Sequence, residues 1–446
     1  MKLTIKEIAQ VVQAKNDWSS YKDQEIHAIE FDSRLITSGD LFLPLKGVRD
    51  GHDFIETAFT NGAVLTFSEK EIEQAHLLVD DNLRAFQALA KYYVSKMKPT
   101  VIAVTGSNGK TTTKDMIAAV LSEKYQTYKT QGNHNNEIGM PYTILHMPDD
   151  TEKLVLEMGM DHPGDIDLLS SLASPDLAVI TLIGEAHLEF MGSRRNIAKG
   201  KMGIQAGLGI ENELIAPADP IINEFIYDNQ KITRFGADED IYVTQLVEHR
   251  DYLTFNSNFM NETISIPVPG RYNATNAMLA SYVGLKMGLT EKEIKHGLEH
   301  VELTRNRTEW KKAANGADIL ADVYNANPTA TRLILETFQA IAPNEKGRKL
   351  AVLADMLELG ETAPQLHASI FETLDLDILD KVYLYGPMMK YLYDKAAGNP
   401  KVVHFDSLEK LTEAIKAELQ PNDQILFKGS NGMKLFQIIE HIEKEI

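Results

Sequence analysis

Apolar positions Leu3, Ile5, Ile8, Val11 and Val12 share one helical face and predict a short amphipathic helix at the start of the chain. Short glycine-punctuated apolar runs follow, such as LFLPLKG and AVLTFS, and read as strands. Pro99 disfavours helix at Lys98 and marks a seam. Beyond it, buried-strand runs (VIAVTG, KLVLEMG, LAVITLI, NELIAPA) alternate with helical patterns (KTTTKDMIAAVLSEK, NIAKGKMGIQAGL). This alternation predicts βαβ units around a mostly parallel sheet. Shorter alternating segments, IYVTQLV, YLTFN and TISIPV, predict an antiparallel addition to it. From residue 312 the βα alternation restarts with DILADVY, KLAVLAD, KVYLYG, KVVHF and QILFKG, each followed by a helical segment. The expectation is an α/β protein of three domains: a small α/β unit over 1–98, a central doubly wound unit over 99–311 and a Rossmann-like doubly wound unit over 312–446.

The composition of the 446 residues, 43% apolar and 24% charged, supports packed cores and excludes wholesale disorder. The net charge of −19 argues against non-specific binding to nucleic acid or anionic membranes, so an anionic ligand must be held by local cations and backbone groups. The absence of cysteine excludes disulfides, thiolate metal sites and cysteine nucleophiles. The amino-terminal segment does not read as a signal peptide, and no apolar run is long enough to span a bilayer. A cytoplasmic protein without membrane insertion or nucleic-acid partner is expected.

Residues 105–112, TGSNGKTT, lie between a predicted strand and a predicted helix. The segment matches a Walker-A loop, except that Ala103 stands at the usual first glycine. Gly106 and Gly109 let the backbone, with Asn108 between them, fold closely around phosphate oxygens, and N–H groups at the helix start attract the anion. Lys110 supplies charge to the terminal phosphates, and the Thr111 hydroxyl, with Thr112 behind it, can ligate Mg²⁺. The alternative is a plain glycine-rich turn. No dinucleotide-type G-x-G-x-x-G follows any predicted strand.

Two residues at later strand ends extend the constellation. Glu157 ends LVLE, where a carboxylate would face the metal, and His187 lies just past another strand end. Alone, His187 reads rather as a helix-entry residue bonded to backbone. A switch or motor ATPase remains open on these residues.

The loop, Glu157 and His187 together resemble the Mur ligase family, ATP-dependent amide-forming enzymes that build the peptide stem of bacterial peptidoglycan. Further resemblance runs along the whole chain: FDSRLITSGDLFLPLKGVRDGHDFI (31–55), GNHNNEIGMP (132–141), GRYNATNAMLA (270–280), NRTEW (306–310), DVYNANP (322–328), ADMLELG (354–360) and FKGSNGMKL (427–435). The chain departs from the family pattern at Ala354, Asn431 and Gly203, where glycine, arginine and glutamate are usual. The Y-N-A-N-P form of 324–328 implies the member whose substrates are UDP-N-acetylmuramoyl-tripeptide and D-alanyl-D-alanine, rather than the one adding diaminopimelate or lysine.

The resemblance implies ATP and Mg²⁺ as cofactors and an acyl-phosphate route. Lys110 would stabilise the β/γ-phosphates, Thr111 and Glu157 would hold one Mg²⁺, and His187 a second. Asn276 would bond adenine with Tyr272 stacked on it, Arg307 would reach phosphate or ribose, and Asp322 the ribose. Without the resemblance, capping, packing and surface ion pairing account for these four. Ser33, Arg34, Lys46, Gly47, Arg49 and His52 are the candidates for the UDP-sugar, and Asn325, Asn327, Glu358, Leu359 and Ser430 for the dipeptide or hinge side. Lys201 is the candidate for a lysine that several relatives convert to a carbamate with CO₂, a reaction that needs a neutral amine. A monomer with mobile domains is expected.

Overall fold

A computed structural model describes residues 1, 3–304 and 307–445. The first helix spans Ile5–Val11. It begins at Ile5 because Thr4 and Glu7 form a capping box, each side chain bonding the other's backbone N–H. Leu3, Ile5 and Ile8 are fully buried, as their spacing predicted. Leu3–Thr4 pairs antiparallel with Glu25–Ile26. The first sheet is four short parallel strands in chain order, Ile29–Glu30, Leu41–Phe42, Leu65–Ser68 and His76–Leu78. The helix Asn82–Met97, capped by Asp81, closes this unit, and Lys98 turns left-handed (φ 54°) before Pro99.

The central sheet has six parallel strands in the order Lys231–Phe235, Glu213–Pro217, Leu177–Ile180, Thr100–Thr105, Lys153–Glu157 and Thr127–Lys129. Their apolar runs are covered on both faces, which is why they read as continuous rather than alternating. Chain order reverses at Thr100–Thr105, opening a crevice at that strand's carboxyl end. The antiparallel addition is present as Val243–Glu248, Leu253–Ser257 and Ile264–Ile266, packed on helix Arg271–Lys286.

The third sheet runs Glu309–Lys312, Asp318–Asp322, Gln424–Lys428, Lys349–Ala354, Lys381–Tyr385, Val402–Phe405, with only the first strand antiparallel. Its edge strand starts at Glu309, within the stretch assigned above to the central unit. Its sequence, EWKK, is polar and lies partly exposed, so no apolar run announces it. Among the described residues no helix is long and apolar enough to cross a membrane.

The three units are joined unequally. One buried apolar cluster runs from Leu3 through Phe86, Leu89 and Tyr93 to Met140, Ile144 and Ile222, so it crosses the seam at Pro99 without a break. The third unit has its own two clusters, one on each sheet face. Its links to the central unit are largely polar. At one end Arg250, at a hairpin tip, bonds Asp318 (2.5 Å) and Asn344 (2.8 Å), while the Trp310 indole N–H donates to the Arg250 carbonyl.

The shared cluster has a measurable consequence. The two tryptophans, Trp18 and Trp310, report on the first and third units respectively. Leu89→Ala removes a fully buried side chain from the shared cluster, at a cost of about 2–5 kcal/mol. In a Trp310→Phe background, the Trp18 denaturation transition is expected to shift by that amount. In a Trp18→Phe background, the Trp310 transition is expected to shift much less. Equal shifts would mean that the third unit unfolds with the others.

Candidate active site

The phosphate loop lies where strand Thr100–Thr105 hands over to helix Lys110–Ser122. Two close approaches fix its course. A Cβ on Gly106 would stand 1.9 Å from Thr181 Oγ1, and one on Gly109, at φ 83°, would stand 2.7 Å from Asn276 Oδ1. The loop is tied to the neighbouring strand end: Ser107 N–H donates to the Leu182 carbonyl (2.7 Å) and Thr181 Oγ1 to the Asn108 carbonyl (2.5 Å). The Lys110 ammonium curls back onto the Gly106 carbonyl at 2.8 Å. Burial lowers its pKa, and the nearby Glu157 charge opposes that shift.

A cavity of about 420 Å³ opens over this loop. Its wall includes Asn108, Gly109, Lys110, Thr111 and Thr112 from the loop, and Glu157 and His187 from later strand ends. Tyr272 and Asn276 line it from helix Arg271–Lys286. Arg307, Asp322, Asn325, Glu358 and Ser430 line it from the third unit. These positions, spread from Asn108 to Ser430 along the chain, meet because both sheets present their carboxyl ends to one space.

Several of these groups already have partners. Asn276 accepts from Thr113 Oγ1 and donates to Asn273 Oδ1, both at 3.2 Å. The Tyr272 hydroxyl bonds Thr308 Oγ1 at 2.8 Å, and burial raises its pKa. The Arg307 guanidinium lies 4.2 Å over the Tyr324 ring, and its Nε is buried without a hydrogen bond. Asp322 accepts from Lys428 Nζ at 2.7 Å.

Glu157 bears most directly on a metal. Its Oε1 accepts from Asn135 Nδ2 at 2.9 Å, while Oε2 is buried with no hydrogen bond and the Lys114 ammonium 3.9 Å away. An orphaned carboxylate oxygen and the Thr111 hydroxyl in one cavity wall are the hard oxygen donors that Mg²⁺ takes, with phosphate and water completing its shell. His187 stands apart from that pair. Its Nδ1 is 2.8 Å from Glu358 Oε2 and 3.3 Å from Asp161 Oδ1, and it holds the Glu358 carboxyl below its ordinary pKa. Both His187 (φ 62°) and Glu358 (φ 63°) adopt the left-handed backbone region. No group of three or more histidine and carboxylate side chains is preassembled for a metal among the described residues.

Other expected residues lie off the cavity wall. Gly106, in the loop, is not among the cavity-lining residues. Lys201 is 1% exposed and makes no salt bridge among the described residues; burial, then the Lys110 charge, hold its pKa well below the ordinary lysine value. At the nearby departure, Gly203, a Cβ would stand 2.3 Å from Asp167 Oδ2, so a larger residue there would displace the Asp167 side chain. Asn327 is 2% exposed and bonded to Asn108, and Leu359 is in the third unit's core while Leu357 lines the cavity. In the first unit, Ser33 is buried and Gly47 and Arg49 are exposed. Arg34 pairs with Asp32 (2.6 Å), Lys46 with Glu69 and His52 with Asp50 (2.8 Å). The His52 Nε2 is buried and unpartnered.

Sequence reasoning assigned no role to Asn135, Lys114, Asp161 or Lys428, all of which border the groups above. Asn135 was within reach, since GNHNNEIGMP had been singled out as a segment. Lys114 repeats the Lys110 position one helical turn on, a spacing that signals the same helix face.

Comparison with known proteins agrees with this geometry. Residues 25–108 match the Mur ligase family catalytic domain, 104–284 the Mur ligase middle domain and 306–431 the Mur ligase glutamate ligase domain. The UDP-N-acetylmuramoyl-tripeptide–D-alanyl-D-alanine ligase of Bacillus subtilis is 38% identical over 99% of this chain and 98% of its own. The Escherichia coli ligase of the same name is 30% identical, covering 98% of each. A crystal structure of MurF from Acinetobacter baumannii superposes with a TM-score of 0.89 at 29% identity, over 100% of this chain and 99% of that one. MurF ligase from Thermotoga maritima in complex with ADP superposes at 0.83, with 29% identity over 94% and 97%. With a phosphate loop, a strand-end glutamate and a third-unit wall around one cavity, and full-length relatives on either side of 30% identity, the chain belongs to the Mur ligase family.

Proposed function

We propose that the chain is an ATP-dependent ligase that joins D-alanyl-D-alanine to UDP-N-acetylmuramoyl-tripeptide, forming the pentapeptide precursor of peptidoglycan. The observation that carries this is the 38% identity, over 99% of the chain, to the Bacillus subtilis ligase of that name. ATP and a UDP-linked precursor as substrates place the reaction in the cytoplasm.

The chemistry needs activation because a carboxylate oxygen is a poor leaving group. The terminal carboxylate of the tripeptide attacks the γ-phosphorus, the bond to ADP breaks, and an acyl phosphate results. The dipeptide amine attacks its carbonyl carbon, loses a proton, and inorganic phosphate leaves. Catalysis is then positioning and charge neutralisation. We assign Lys110 to the transferring phosphoryl group, and Thr111 with the free Glu157 oxygen to Mg²⁺, which would neutralise phosphate charge. Asn276 and Tyr272 face the base, and Arg307 and Asp322 the ribose and phosphate. Asn325, Glu358 and Ser430, across the cavity, are assigned to the dipeptide side. Ser33, Arg34, Lys46, Gly47, Arg49 and His52 are assigned to the UDP-sugar. We assign one ligand to each of the units built on the four-stranded sheet and the two six-stranded sheets.

Lys201 fits the carbamate assignment. Its desolvated amine, which feels the Lys110 charge and pairs with no carboxylate among the described residues, favours the neutral form that reacts with CO₂. The product would replace a cation with an anion near Lys110.

Phosphate release from ATP is expected only when UDP-N-acetylmuramoyl-tripeptide and D-alanyl-D-alanine are both present. Equal stimulation by another amine acceptor would sink the substrate assignment. Lys110→Ala is expected to lower kcat roughly 10²- to 10³-fold with the thermal transition unchanged; near-normal turnover would remove the loop from catalysis. Lys201→Ala is expected to lose most activity and regain part of it with formate or acetate. Full activity without additive would take Lys201 out of the site, and loss without rescue would reject the carbamate.

A further inference from the structure

Asn327 was expected on the substrate side, yet its side chain is fully committed elsewhere. Its Oδ1 accepts the Ala330 N–H at 2.9 Å, capping helix Pro328–Ala340. The same oxygen accepts from Asn108 Nδ2 at 3.2 Å, and its Nδ2 donates to Asn108 Oδ1 at 2.7 Å. The two carboxamides thus form a reciprocal pair between the third unit and the phosphate loop.

Helix capping explains only half of this. A cap needs an acceptor, and serine, threonine or aspartate would serve as well. The nitrogen of Asn327 contributes nothing to the cap and bonds the loop instead. On the other side, Asn108 is held by its backbone as well as its side chain: its carbonyl accepts from Thr181 Oγ1 at 2.5 Å. The loop apex is therefore gripped between the central sheet and the third unit, two residues before Lys110. A second bond in the same helical turn, Thr329 Oγ1 to Glu185 Oε2 at 2.6 Å, repeats the docking.

We infer that Asn108 and Asn327 are a positioning pair, through which the third unit docks on the phosphate loop and fixes the loop's shape for phosphoryl transfer. The inference rests on the reading of that loop as the ATP site. A docking pair acts on turnover in the assembled enzyme and leaves nucleotide binding by the central unit unchanged. A residue that touched the nucleotide would change both.

The test is a double-mutant cycle on the full chain with Asn108→Ala, Asn327→Asp and the double variant. Aspartate keeps the cap but loses donation to Asn108. Phosphate release gives kcat, displacement of a fluorescent ADP analogue gives nucleotide affinity, and thermal melting gives stability. Asn327→Asp is expected to lower kcat about tenfold, the scale of one or two lost hydrogen bonds, with affinity and melting unchanged, and Asn108→Ala, in the loop itself, to lower kcat at least as much. The double variant should be no worse than Asn108→Ala, because the partner is already gone. Multiplying losses in the double variant would overturn the pairing, as would normal kcat in Asn327→Asp. A lowered melting transition with normal kcat would reduce Asn327 to its cap and overturn it too. Should Asn327→Asp not fold, Asn327→Ser, which also caps, takes its place in the cycle. Failure of the unaltered protein to bind the ADP analogue would instead overturn the ATP-site reading itself.

Discussion

A chain of net charge −19 that uses ATP must attract a polyphosphate, and around its cavity stand a few desolvated cations rather than many exposed ones. Lys110 forms no salt bridge among the described residues and rests on a backbone carbonyl. Lys201 is buried, makes no salt bridge among the described residues and feels the Lys110 charge, and Arg307 has a buried guanidinium nitrogen with no hydrogen bond. Desolvated, unpaired cations are unfavourable in the free protein. In a low-dielectric pocket, the same groups attract phosphate far more strongly than exposed lysines would. The net negative charge of the chain sharpens the contrast, because it disfavours anions away from local cationic sites.

That arrangement shapes how the units join. The first and central units share one apolar cluster, so separating them would expose large buried side chains such as Phe86 and Met140 to water. The central and third units meet through amides, hydroxyls and ion pairs: Asn108 with Asn327, Thr329 with Glu185, His187 with Glu358 and Arg250 with Asp318. Such bonds exchange for water at small net cost, about 1 kcal/mol each. The stronger joint therefore lies between the first and central units, and the weaker one between the central and third.

How much of this was legible in the sequence follows from the range of each interaction. The phosphate loop is local: glycine, lysine and threonine act within eight residues, so their types and spacing suffice. The buried strands are nearly as local, because a parallel strand covered on both faces is apolar throughout. Glu157 and His187 were readable as residues just past such strands, which open α/β sheets gather at one end. The edge strand Glu309–Lys312 was not, since a polar, antiparallel edge carries no apolar run. Nor was the fate of Asn327. Its motif places it near the site, but only the packing of helix Pro328–Ala340 against the loop turns its amide toward Asn108 rather than a ligand. The partnership of Lys428 with Asp322 joins two strands adjacent in the sheet and 106 residues apart in the chain. No periodicity encodes it.

The split of the site between two sheets has a chemical logic. An acyl phosphate is lost to water unless the amine reaches it first, and ATP held by a complete site without its acceptor would be hydrolysed. The central sheet ends in the phosphate loop and Glu157; the third ends in Asp322 and Lys428, with Glu358 on a following loop. Neither sheet alone surrounds the cavity. Water is excluded, and the cations fully desolvated, only when the two carboxyl ends face each other. The weak polar joint suits such a reaction: contacts of this kind can form around ligands to protect an intermediate and separate again at small cost.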